Sequence, residues 1–203
     1  MNKIHVCGWL VGCLLLTSVA DASPILTLDP ANGAISGASG TTVGWGFSLT
    51  NNTDYAVITG TQFCDASSSP LPNICLPLSP DLGTYTDFAG AQFLVAGPSP
   101  ESVTVAQTFD NSLLTGIGSF AIDPSASGTE NGIIVLTYDL YRVSPNDPVF
   151  SFNDLISAGN FLTAEASVTV APVTPVPEPS SFLLLGAGLL AGIVRRGAAA
   201  KKV

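Results

Sequence analysis

The chain has 203 residues, room for one domain of ordinary size plus targeting segments. It carries 15 Asp and Glu against 6 Lys and Arg, and between Lys3 and Arg195 the only cation is Arg142. A body this acidic cannot neutralise phosphates, which argues against nucleic acid as a partner, and its sign opposes a peripheral hold on anionic lipid.

The first element is a targeting segment. "MNKIHVCGWLVGCLLLTSVADAS" opens on a single lysine, runs apolar from about Val6 to Ala20, and sets small residues Ala20 and Ala22 around Asp21. That is the layout of a secretory signal cleaved after Ala22, so residues 1–22 are read as the signal peptide and Ser23 as the mature start. A rival reading takes Leu10-Val11-Gly12-Cys13 as a lipobox. Against it, "LLLTSVA" stays apolar beyond Cys13, where a lipoprotein would turn polar.

Export decides how the cysteines are read. Cys7 and Cys13 leave with the signal, and Cys64 and Cys75 remain as an even pair in an oxidising compartment. A disulfide between them closes "DASSSPLPNI" and contributes about 2–3 kcal/mol by restricting the unfolded chain. The alternative is two free buried thiols. A metal site is weaker, because two sulfurs without histidine leave a tetrahedral set incomplete.

From Ser23 to Pro172 the period is two. Val43, Trp45, Phe47 and Leu49 alternate with Gly44, Gly46, Ser48 and Thr50, as on a strand covered on one side. "LTAEASVTV" follows the same rule, and "GIIVLTYDLYRVS" is apolar on both parities from Ile133 to Leu136, as a central strand would be. "PILTLD", "YAVITGTQF", "AQFLVAG", "SVTVAQTF" and "GIGSFAID" complete the strand candidates, and "SFNDLISAG" has room for a turn or two of helix. Seven to nine short strands separated by Gly, Pro, Asn and Asp turns predict an all-β domain over 23–172, an antiparallel sandwich of the Ig-like or jelly-roll type.

This domain offers little chemistry. The sole histidine, His5, goes with the signal, and no lysine follows before the C-terminal tail. That removes Ser/His/Asp and Cys/His relays, histidine zinc sets and Schiff-base arrangements. Carboxylates remain: Asp87, Glu101, Asp110, Asp123, Glu130, Asp139, Asp147 and Asp154 give many possible pairs and single out none. A glycosidase needs two of them and an aromatic platform. Trp45 is the only mature tryptophan, and its place in an alternating apolar row points to the core rather than to sugar. "DPSASGTEN" and "SPNDPVFSFND" cluster oxygen ligands without an established calcium-loop spacing, so they read as solvated turns. Asn51-Asn52-Thr53 has the glycosylation pattern, which a turn explains equally well. The reading is no enzyme, no metal and no cofactor.

After the last strand, residues 173–181 form a proline-rich spacer. Phe182 to Val194 is then unbroken apolar sequence, read as a membrane helix over 182–194. Such a helix spans about 20 Å of a hydrocarbon core ~30 Å thick, a marginal crossing. Arg195 and Arg196 act as a basic stop, and residues 195–203 are read as a tail on the cytoplasmic side.

Pro177-Glu178-Pro179, the short glycine-containing apolar run and Arg195-Arg196 come in that order, and together they resemble the PEP-CTERM sorting signal of exported bacterial proteins over about Val176 to Arg196. The resemblance implies an exosortase, a membrane-embedded cysteine protease, as partner. It would cut near the triplet, with release or transfer of the protein to the cell surface. It also implies association with the envelope and with exopolysaccharide or biofilm matrix. "TTVGWGFSLTNNTD", "YTDF" and "IVLTYDLY" are similar to uncharacterised domains found with this signal, a likeness that brings no activity. The expectation is therefore a non-enzymatic protein exported across the inner membrane, held there transiently by one helix and delivered to the surface or beyond. The rivals are a secreted carbohydrate- or matrix-binding module and, less favoured, a carboxylate glycoside hydrolase.

Overall fold

The computed structural model describes residues 23–68 and 75–172. The segments read as signal peptide and as membrane helix lie outside them, and among the described residues no helix is long and apolar enough to cross a membrane. The chain divides after Val170 into two compact units, and every strand belongs to the first. In chain order these are β1 (Ile25–Asp29), β2 (Ala34–Gly37), β3 (Thr42–Thr50), β4 (Tyr55–Asp65), β5 (Gly83–Asp87), β6 (Val95–Ala96), β7 (Thr104–Gln107), β8 (Gly118–Ile122), β9 (Gly128–Tyr141) and β10 (Leu155–Val170). Two single 3-10 turns, Ala89–Ala91 and Phe152–Asp154, are the helical pieces among the described residues. The described residues form an all-β domain.

The strands form two five-stranded sheets. One runs β1-β3-β8-β5, with β7 also paired to β3; the other runs β2-β10-β9-β4-β6. Along β3, Gln107 of β7 sits opposite Phe47 and Gly118 of β8 opposite Trp45. Residues 108–117 thus leave the ladder as an excursion and return to it almost where they left. One buried cluster draws on both sheets: Trp45, Phe47 and Phe120 from the first, Phe63, Ile134 and Leu136 from the second. The alternation read from sequence is the burial pattern. Trp45, Phe47 and Leu49 are buried, as are Ala166 and Val168, while Thr163 and Glu165 are exposed. On β9 the even positions from Glu130 to Tyr138 face inward, and Ile133 and Val135 lie half-buried on the outer face.

The expected all-antiparallel pairing needs one correction: β2 lies parallel to β10, with Ala34 opposite Ser167 and Gly37 opposite Val170. Antiparallel order is imposed on strands joined by a hairpin. These two are far apart in sequence, and β2 is delivered by a short link from β1 in the other sheet. That link is fixed by Gly33. Its carbonyl accepts the Ser167 amide at 3.0 Å and the Trp45 indole N–H at 2.7 Å, so one oxygen joins the two sheets. Trp45 itself is fully buried and packs on Phe63 at 5.3 Å between ring centres. Gly33 has φ +65, and a side-chain carbon there would fall inside contact distance of the Glu165 carbonyl oxygen.

A second junction involves Asp87. The β6 ladder covers only Ala56 and Val57 of β4, and a bulge after Ile58 shifts the β9 register by one residue. Further along, the Thr61 amide donates to Asp87 across the sheets at 3.0 Å, and the Thr61 hydroxyl donates to the other oxygen. Asp87 also accepts the Gly90 amide at 2.9 Å. A carbon on Gly90 would lie 2.6 Å from the Gly60 backbone, so glycine there lets the 3-10 turn close onto β4.

Two outcomes follow for stability. Gly33→Ala lowers the unfolding free energy by about 3 kcal/mol or more, the sum of left-handed strain and overpacking. Gly40→Ala, at φ +76 with its nearest neighbour at 3.9 Å, costs only the strain, about 1 kcal/mol. Equal losses in denaturant titration would mean that crowding at Gly33 is unimportant. Asp87→Asn should cost about 1.5–3 kcal/mol, the range for hydrogen bonds to a charged group, also read by denaturant titration.

Candidate functional site

Most sequence-predicted site residues lie outside the described residues: Ala20 and Ala22 at the signal cleavage site, Pro177, Glu178 and Pro179 of the triplet, and Arg195 and Arg196 of the basic stop. Cys64 and Cys75 lie within them. Their sulfurs are joined at 2.01 Å, with the Cα atoms 5.1 Å apart. Cys64 is fully buried on β4, opposite Ile133 of β9. The neck of the loop is held as well by backbone: the Asp65 amide donates to Leu76 at 3.1 Å, and the Leu76 amide donates to the Ser68 hydroxyl at 3.0 Å.

The carboxylates are mostly consumed by their own turns. Asp110 accepts from the amides of Ser112 and Leu113, Asp139 from Gly159, Asp147 from Val149 and Asp154 from Ser151. Glu101 accepts from the Ser144 hydroxyl at 2.6 Å and the Asn146 amide at 2.9 Å. Hydrogen bonds from Ser67 hold the Asp65 carboxyl below the usual carboxylate range, and those from Ser112 do the same for Asp110. Burial pushes the Tyr85 phenol up, with the charge of Asp87 adding to the shift and the Thr61 hydroxyl opposing it. Among the described residues no three His, Cys, Asp or Glu are grouped to hold a metal ion. Trp45 is core, and Asn51 is a buried turn residue whose side-chain amide donates to Asp54 at 2.7 Å.

Glu130 differs from the rest. It is fully buried on the inner row of β9; one oxygen accepts the Leu82 amide at 2.7 Å and the other has no partner. Burial pushes its carboxyl up to about 7. The Leu82 N–H opposes the shift, and the charges of Asp81 and Asp65 reinforce it. Among the described residues, Glu130, Asp81 and Asp65 are carboxylates that the fold brings into mutual influence. The spacing that could have found it is present in the sequence, because Glu130 shares parity with Ile134 and Leu136.

At the turn between β9 and β10, aromatic side chains reach solvent. Tyr141 meets Phe150 at 5.2 Å and Phe150 meets Phe152 at 6.0 Å, with Phe152 84% exposed. Ser151 and Asp154 cap each other's backbone, and the Ser144–Glu101 bond ties the turn to the Gly97–Glu101 loop. The strand domain's last residue, Val170, pairs with Gly128 at the opposite end of the hairpin.

No curated protein matches this chain. Residues 175–197 match the PEP-CTERM protein-sorting motif, a stretch that contains the Pro177-Glu178-Pro179 triplet, the apolar run and Arg195-Arg196. The chain thus carries the C-terminal signal of an exported protein that is anchored in the membrane and then processed by an exosortase.

Proposed function

We propose that this protein is a non-enzymatic component of the cell surface or extracellular matrix. The strand body, a sandwich of the Ig-like or jelly-roll kind, crosses the inner membrane behind the signal peptide of residues 1–22. The short helix of residues 182–194 retains it until an exosortase acts near Pro177-Glu178-Pro179. The sorting motif at residues 175–197 carries this reading. A run that falls short of the hydrocarbon thickness suits brief retention better than permanent anchoring. Support for a non-catalytic body comes from the engaged carboxylates of the turns, which leave few free to act on a substrate.

The binding-module reading is favoured by one observation, the capped turn that exposes Phe152 beside half-buried Phe150. Aromatic faces of this kind suit the apolar side of a sugar ring in a matrix exopolysaccharide. The hydrolase reading has no comparable support.

Intact-mass analysis of the surface form from the native host tests the main proposal. The expected product begins at Ser23 and ends near the triplet, and deletion of the host's exosortase leaves the tail attached. A surface form whose mass runs to Val203 in exosortase-positive cells contradicts it. Glycan-array binding that is lost in Phe152→Ala, with folding retained, would select the binding-module reading instead.

A further inference from the structure

Glu130 is a charge-bearing group for which the described residues supply no counter-charge. The only cation of the strand domain, Arg142, lies beyond the far end of β9, and at about 3.3 Å per residue that stretch spans roughly 40 Å. The charged groups on the segments that pack at this end of the core are all acids: Asp65 at the end of β4, Asp81 just before β5 and Asp123 just after β8. From β2 and β10 come apolar residues, Ile35, Ala166 and Val168. An ionised carboxylate here would have one donor and no compensating charge, which costs far more than burying the neutral acid.

The residue that Glu130 grips is a joint. Leu82 donates its amide to Glu130, accepts the Asp123 amide on its carbonyl at 2.9 Å, and buries its side chain in the core. Through it the segment running from Cys75 into β5 is fastened to the sandwich. We propose that Glu130 is a proton-operated latch: protonated, it stays beneath Leu82 and keeps this joint shut, and ionised, it draws in water and lets the joint open at the end of the core. The raised carboxyl, at about 7, sets the upper end of the change near neutrality. Because the folded-state value lies above that of a free carboxylate, the stabilising contribution is complete at acid pH. It is lost progressively as pH rises from the free-carboxylate range to about 7, and no further loss follows above that.

The test uses the disulfide-bonded chain from Ser23 through the strand domain to its natural processed end. Hydrogen exchange of the peptide from Leu76 to Phe88 is followed from pH 5.5 to 8.5 and corrected for intrinsic rates. Protection at Leu82 is expected to fall as pH rises from 5.5 towards 7, by at most about tenfold per pH unit for one coupled proton, and to level off above about 7, where the closed state has lost its proton too. Glu130→Gln, which keeps the acceptor and removes the titration, should flatten the profile. Asp81→Asn should move its midpoint to lower pH. Protection independent of pH in the unaltered protein, or an unchanged pH dependence in Glu130→Gln, overturns the proposal. If that variant does not fold, the carboxyl carbon of Glu130 in the unaltered protein decides. An NMR titration midpoint near 7 supports the latch, and one below pH 5 overturns it.

Discussion

Between Ser23 and Pro172 the chain sets a single guanidinium among its carboxylates, and this scarcity governs how the negative charges inside the domain are held. Ion pairs are not available to most of them. Asp87, Asp110, Asp139, Asp147 and Asp154 instead accept backbone amides, closing turns and joining sheets with bonds that need no cation. Hydrogen bonds to an ionised acceptor are among the stronger ones a protein makes, so a cation-poor sequence need not be a weak one. Glu130 has a single amide and nothing further, and its proton substitutes for the missing partner.

The remaining cohesion is apolar and aromatic. Trp45 fills the centre, and its indole N–H reaches the Gly33 carbonyl, where the parallel β2–β10 pairing begins. Phe63 bridges to Phe120 edge-on at 5.8 Å, so rings from the two sheets interlock. The Cys64–Cys75 disulfide ties the end of β4 to the segment that leads into β5. The matched sorting motif, residues 175–197, follows this body in the chain.

Much of this was legible in the sequence, for physical reasons that differ from element to element. Period-two alternation located β3 and β10 because one face of each is covered, and the unbroken Ile133–Leu136 run located β9 because it lies between two partners. Four-residue β2 leaves no mark in the sequence, because "AISG" is half-exposed and too short to show a period. β5 leaves no clear alternation because threonines and glycine surround its single half-buried aromatic, Tyr85. "AQFLVAG" looked like a full strand, yet a 3-10 turn uses its start and only Val95 and Ala96 pair. The parallel pairing was out of reach, since direction between distant strands leaves no local mark. Glu130 is one of eight candidate carboxylates in the sequence, and parity counted back from Leu136 is what places it inward. The sorting segment was read from the order of triplet, apolar run and basic pair, an order that local sequence displays in full.

The account stands or falls on whether ion pairs contribute to this fold. The measurement is the unfolding free energy of the exported form at pH 6 in 50 mM and in 500 mM sodium chloride. Screening weakens attraction between exposed opposite charges and relieves repulsion among like ones. A domain held by its core and by amide-to-carboxylate bonds, and repelled by its own acidity, should be as stable or more stable at the higher salt. A clear loss of stability there would show that unlike charges hold it together, and would contradict the account.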